Sequence, residues 1–209
     1  MYEDYYRFQG KPFQLSPDPS FLFSSLGHRR AMAYLVYGVH QGEGFIVITG
    51  EIGAGKTMLA GALARKMTSR TFVLAQVVNS SLEPEDVVRM VAAAFGLSQE
   101  NSKAVLLNRI EQYLLACHKQ GKRALLVVDE AQNLPARSLE ELRMLSNFVC
   151  AGKPLLQTFL LGQPEFRKTL QSPEMEQLRQ GDRLVPPGAV GRSGDRGLHR
   201  APAAHGRMA

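Results

Sequence analysis

The sequence predicts an α/β fold: a parallel sheet flanked by helices. Short, β-rich runs recur along the chain ("FIVIT", "TFVLAQVV", "RALLVV", "PLLQTFLLG"), and the continuously apolar "FIVIT" has the pattern of a strand buried on both faces. Between them lie longer segments with apolar residues at helical spacing, and strands alternating with helices argue for parallel pairing. With 209 residues, 44% of them hydrophobic, the chain is long enough to bury one sizeable core.

The elements follow in order. "SPDPS" (Ser16 to Ser20) carries two prolines among polar turn residues and reads as a docked loop. From His28 to His40, Ala31, Leu35, Val36 and Val39 recur near helical spacing, and "QGEG" then stops the helix. Phe45 to Thr49 is the first strand, Met58 to Met67 a helix and Thr71 to Val78 the second strand. "SLEPEDVVRMVAAAFG" predicts a helix with a cap at Ser81, a proline in its first turn and a stop at Gly96. Lys103 to Lys119 is the next helix. "RALLVV" is the third strand, finishing at Asp129 and Glu130, and Ser138 to Phe148 is again helical. "PLLQTFLLG" is the fourth strand, ending near Gln163, with short helices at Glu165 to Leu170 and Met175 to Gln180.

At Gly181 the character changes. The segment 181–209 is rich in Gly, Pro, Ala and Arg, has no aromatic residue and shows neither periodicity, so it is expected to stay disordered. It also holds five arginines against two aspartates, half of the net charge of +6. The basic balance is therefore no argument for a nucleic-acid surface on the body of the chain. Cys117 and Cys150 lack the spacing of a metal or redox pair. The N-terminal residues have no basic stretch followed by an apolar one, so no secretory signal is expected. The apolar runs are far shorter than the roughly 20 residues of a membrane span, so the expected location is cytoplasmic.

"TGEIGAGKTM" carries the chemistry. Gly50, Gly53, Gly55, Lys56 and Thr57 match G-x-x-x-x-G-K-[ST], between a buried strand and a helix. The glycines let backbone N–H groups turn inward around a phosphate, and the helix start adds its dipole. Lys56 is placed to reach the β- and γ-phosphates of ATP, and the Thr57 hydroxyl to ligate Mg²⁺. Glu51, Ile52, Ala54 and Met58 complete the nucleotide-contacting stretch. Asp129, at the tip of a strand, suits a magnesium-bound water. Glu130 beside it suits the general base that takes a proton from the attacking water. Gln163, at the end of the fourth strand, is placed to contact the γ-phosphate or that water; the plain alternative is a loop glutamine. Arg143 reads as a solvated or inter-subunit helix residue. His28, Arg29 and Arg30 read as surface residues, with contact to the adenine side as the second option.

These residues, with "PFQLSPDPSFLF", "GHRRAMAYLVYGV", "LLVVDEAQNLPARSLEELRMLSN" and "LLGQPEFRKTLQSPEMEQLRQ", make Met1 to Gln180 resemble AAA+ ATPases of the general-secretion protein A type. The resemblance is particularly to the subgroup associated with exosortase and exopolysaccharide loci. The resemblance implies a P-loop NTPase core of five parallel strands, the fifth on the edge beside the phosphate-loop strand, followed by a helical lid. It implies ATP hydrolysis, assembly into a homo-oligomer and a secretion-system partner at the inner membrane. Lys56 and Thr57 carry over as Walker A residues, Asp129 and Glu130 as Walker B, and Gln163 as the first sensor. Related ATPases of transposition modules share this core, which keeps a DNA-remodelling role open but not favoured.

The likeness stops at Gly181, where the family places a trans-acting arginine, an apolar strand and the lid. Arg179 sits two residues away, about 200° round a helix, and is a poor substitute. Shifted by one base, a back-translation of the tail can read as the absent strand and lid helix. The tail is therefore expected to be a frameshifted remnant, the fifth strand and lid to be missing, and catalysis to be impaired. A non-hydrolysing, nucleotide-binding scaffold is the corresponding alternative.

Overall fold

The computed structural model describes residues 25–67, 71–78, 83–100, 102–176 and 182–184. Its first helix, α1 (Leu26–Gln41), starts where the Ser25 side chain accepts a hydrogen bond from the His28 backbone N–H and stops at Gly42, whose φ of 74° closes the last turn. Strand β1 (Phe45–Thr49) follows with every residue buried. Next come α2 (Lys56–Lys66), β2 (Phe72–Val77), α3 (Pro84–Ala94), α4 (Lys103–Lys119) and β3 (Arg123–Val128). A single 3₁₀ turn (Ala131–Asn133) leads to α5 (Ala136–Ser146), a two-residue ladder of β4 (Val149–Cys150) with β5 (Lys153–Pro154), then β6 (Leu156–Gly162) and α6 (Phe166–Leu170).

With β7 (Asp182–Leu184), the sheet runs in the order β2-β3-β6-β1-β7, all pairs parallel. Successive side chains of a strand point to opposite faces, and both faces are covered. Ile46 and Ile48 of β1, Leu125 and Val127 of β3, and Phe159 and Leu161 of β6 meet Ala31, Leu35 and Val39 of α1 and Leu59 and Leu63 of α2. The other face joins Phe45, Val47, Leu126, Val128 and Leu160 to α3, α4, α5 and α6. This double covering is why β1 and β3 read as unbroken apolar runs. No helix among the described residues is long and apolar enough to cross a membrane.

One expectation is overturned. The fifth strand is not missing: β7 (Asp182–Leu184) lies parallel to β1, in the register Phe45 to Asp182 and Val47 to Leu184. An edge strand needs only extended backbone with free N–H and C=O groups, and it can be very short. A composition too polar and glycine-rich for a core therefore does not forbid it. The lid, the position of Gly181, Arg179, and the loop at Ser16 to Ser20 lie outside the described residues, as do Ser81 and most of the helix expected at Met175 to Gln180. Pro173–Met175 forms a 3₁₀ turn. The third helix of the series, α3, takes Glu83 as its N-cap with Pro84 next to it. Helix α5 starts and ends two residues before the expected span, since Pro135 fixes its N-cap, and the unforeseen β4–β5 turn takes up the residues after it.

Tight packing holds β6 against α6. A Cβ at Gly162 would lie 2.9 Å from Phe166 Cδ1 and 3.1 Å from Phe166 Cβ, and Phe166 is fully buried. Gly162→Ala is expected to destabilise the fold by about 1–3 kcal/mol, or some 2–4 °C per kcal/mol for a chain of this size. Thermal denaturation checks it, and an unchanged midpoint would mean that α6 retreats freely.

Candidate functional site

Because β3, β6 and β1 are adjacent and parallel, the loops leaving their C-terminal ends converge at one edge of the sheet, where open α/β sheets form their binding crevices. The loop after β1 is anchored at its base by the Gly50 N–H, which donates to the Gly162 carbonyl at 3.2 Å. It then folds on itself, Ala54 N–H donating to Glu51 O at 3.1 Å. Gly53 and Gly55 have φ of 74° and 79°, the left-handed region that side chains disfavour. Gly55 is also the N-cap of α2 and offers no side chain to that helix's first N–H groups, so these remain available to an anion.

Lys56 opens α2 yet is only 7% exposed. Its ammonium donates to Gly50 O at 2.8 Å and Glu51 O at 3.0 Å, so the charge lies within the concave side of the loop. Glu51, Ile52 and Gly53 form the exposed crown. Met58, in the first turn of α2, is half-buried.

Thr57 links the loop to β3. Its hydroxyl donates to Asp129 Oδ2 at 2.5 Å, and Asp129 Oδ1 accepts from the Glu130 backbone N–H at 2.9 Å. The Asp129 carboxylate is buried at the strand tip, with its own N–H donating to Val77 O. A hydroxyl and a carboxylate oxygen so placed are hard donors of the kind that Mg²⁺ takes alongside phosphate oxygens and waters. The residues present fit that ion.

Glu130 has φ of 52°, a left-handed conformation that costs a non-glycine residue about 1–3 kcal/mol. The turn sends the chain back into the 3₁₀ segment, bringing Gln132 onto the same site. Gln132 Nε2 donates to Glu130 Oε2 at 2.5 Å, Gln163 Nε2 donates to the same oxygen at 3.3 Å, and the Gln163 backbone N–H donates to Gln132 Oε1 at 3.0 Å. Thus Thr57 is tied to Asp129 beside Lys56, and Glu130 to Gln163, with Gln132 joining the second pair.

The structure adds two further residues around the loop, His28, expected at the surface, and Arg167, for which the sequence carries no motif. His28 is not simply on the surface: its Nε2 lies 2.9 Å from Ala54 O, its Nδ1 lies 2.7 Å from Ser25 Oγ, and its ring sits over Gly55. A carbonyl only accepts, so Nε2 carries the proton and α1 grips the phosphate loop from outside. Arg167 of α6 donates to Thr49 Oγ1 at 2.6 Å, just before the loop. Arg29 and Arg30 are exposed.

Arg143 pairs with Glu140 of its own helix, Nε and Nη2 donating at 2.8 Å and 2.6 Å to its carboxylate. Hydrogen bonding from Arg143 holds the Glu140 carboxyl below its ordinary range, against the opposing effect of burial, and the same bond raises Arg143. A carboxyl lowered on folding adds stability at pH above its unfolded value, near 4.3, and loses it as pH falls through the folded value. The Glu140 side chain is 42% exposed, so solvent screening limits the pair. Arg143→Ala is expected to remove about 0.3–0.5 kcal/mol at pH 7 and nothing resolvable at pH 2. Denaturant titrations at both pH values check this, and an equal loss at pH 2 would point to lost packing instead.

A family model described as an AAA domain matches residues 39–170. General secretion pathway protein A of Aeromonas hydrophila is 37% identical over 182 residues, 86% of this chain and 33% of that protein. The Mu-like prophage FluMu DNA transposition protein B of Haemophilus influenzae is 33% identical over 109 residues, 52% of this chain and 36% of that one. The chain thus spans about a third of the length of these curated relatives. Among solved structures, the Aeropyrum pernix ORC2 protein in its ADP form superposes with a TM-score of 0.55 at 15% identity, covering 83% of this chain and 50% of that one. Its ADPNP-ADP complexes give 0.53 at 14% identity, covering 75% and 45%. These likenesses speak to the fold.

Proposed function

Since the chain belongs to the AAA domain family, we propose that it binds ATP with Mg²⁺ and hydrolyses it to ADP and phosphate, and that the cycle drives an envelope secretion complex. One observation carries the reading: the 2.5 Å bond from Thr57 to Asp129 couples a phosphate loop to a strand-tip carboxylate, with Glu130 next in sequence. Bound Mg²⁺ supplies positive charge to the β- and γ-phosphate oxygens. Thr57 and Asp129 would hold it. Lys56 neutralises phosphate charge, and the first N–H groups of α2 take phosphate oxygens. Glu130 accepts the proton of the attacking water, and Gln163 senses the γ-phosphate.

The export role rests on the relation to general secretion pathway protein A. It carries with it the proposals of a homo-oligomer in the cytoplasm, held peripherally at the inner membrane by a partner protein. The test is Mg²⁺-dependent phosphate release by the purified chain. Release that chelation abolishes supports the reading; failure to bind a fluorescent ATP analogue overturns it. The relation to a transposition protein motivates the second reading, nucleotide-dependent remodelling of DNA. A salt-dependent mobility shift of duplex DNA that requires ATP would favour it, whereas the absence of a shift at low salt would leave secretion as the reading.

A further inference from the structure

Gln132 stands between the proposed sensor and the proposed base. Its two amide atoms are both engaged, and their roles are fixed by their partners. The Gln163 backbone N–H can only donate, so Oε1 faces it; the Glu130 carboxylate can only accept when ionised, so Nε2 faces that. A flip of the amide would break both bonds. The same Glu130 oxygen also takes the Gln163 side-chain amide. Three residues thus close a ring in which the backbone of Gln163, the amide of Gln132 and the carboxylate of Glu130 cannot move independently. The left-handed turn at Glu130 is what brings a residue only two positions later into that ring, and its strain is of the kind that persists where surroundings over-determine a conformation.

We infer that Gln132 is a positioning residue that couples Gln163 to Glu130, holding the carboxylate of the base in register with the γ-phosphate sensor. The inference rests on the ATPase reading above. A displacement of Gln163 toward a γ-phosphate would be transmitted through its backbone N–H to Gln132, and from there to Glu130. Nucleotides ending at the β-phosphate would leave the ring as it stands.

Gln132→Glu separates this role from space-filling. The substitution is nearly isosteric and keeps an acceptor for the Gln163 N–H, but it replaces the donor facing Glu130 by a second carboxylate. A residue that merely fills the turn tolerates Glu better than Ala; a coupling residue tolerates it no better. Gln132→Ala, Gln132→Glu, Gln163→Ala and the Gln132→Ala/Gln163→Ala double variant should be compared with the parent in two readouts. These are kcat with Mg-ATP, and the ratio of affinities for a non-hydrolysable ATP analogue and for ADP. The expected result is a fall of at least tenfold in kcat for each variant, with Glu at least as severe as Ala and ADP affinity within threefold of the parent. The preference for the ATP analogue should shrink equally in both single alanine variants and no further in the double variant, the non-additivity of groups acting as a unit. Fully additive losses, or a Gln132→Glu variant with parental kcat, would overturn the coupling. A parent that binds nucleotide but hydrolyses none would overturn it as well while leaving the nucleotide site standing, and a parent that binds no nucleotide would remove both readings.

Discussion

Alanine at position 56 is expected to weaken the binding of Mg-ATP by about 100-fold or more. Lys56 brings a positive charge into a nearly closed loop, where it already donates to two carbonyls. Charged hydrogen bonds contribute roughly 1.5–3 kcal/mol each, and each 1.4 kcal/mol is tenfold in affinity. The variant also leaves Gly50 O and Glu51 O without the ammonium, so the loop loses its internal tie as well as its charge. Titration with a fluorescent ATP analogue is the measurement. A dissociation constant within threefold of the parent would mean that the phosphates are held by the helix start alone.

Glu130→Gln should behave in the opposite way, binding Mg-ATP much as the parent does while turning it over about 10²- to 10⁴-fold more slowly. That is the range by which a positioned general base contributes. Glutamine matches the shape of the side chain but has no lone pair basic enough to take a proton. It also presents its own amide toward those of Gln132 and Gln163, which now donate to Glu130. A single-turnover assay separates chemistry from product release. Turnover within a few-fold of the parent would assign the base elsewhere, whereas parallel losses of binding and turnover would mean that the turn at Glu130 had collapsed.

The fold was readable where burial is symmetrical. Every position of Phe45–Thr49 is buried, so nothing in that strand has to alternate and the run is unmistakable. Helix α4 was bounded correctly because its apolar positions at Leu106, Ile110, Leu114 and Cys117 keep one face for its whole length. The short β7 was not readable, since its pairing with β1 is a property of backbone and leaves little trace in composition. The site divides along the same line. Lys56, Thr57 and Asp129 stand at fixed offsets within motifs, and a motif is a local fact. Gln132 enters through the left-handed turn before it, and His28 through a contact with Ala54, far along the chain. Neither dependence is visible from residue type, and a histidine followed by two arginines looks like any solvated helix start.

The strand order has a consequence for how the molecule comes into being. β1, β2 and β3 leave the ribosome before β6, yet β1 pairs only with β6 and β7 among the described residues. While the chain is growing, this fully buried strand and the glycine loop behind it wait without a neighbour, with the Gly50 N–H lacking the Gly162 carbonyl that anchors it. Long-range parallel pairing of this kind is slow and leaves apolar surface exposed in the interval. The phosphate loop is thus closed by one of the last strands to be synthesised, and its geometry belongs only to a chain whose sheet has been threaded together.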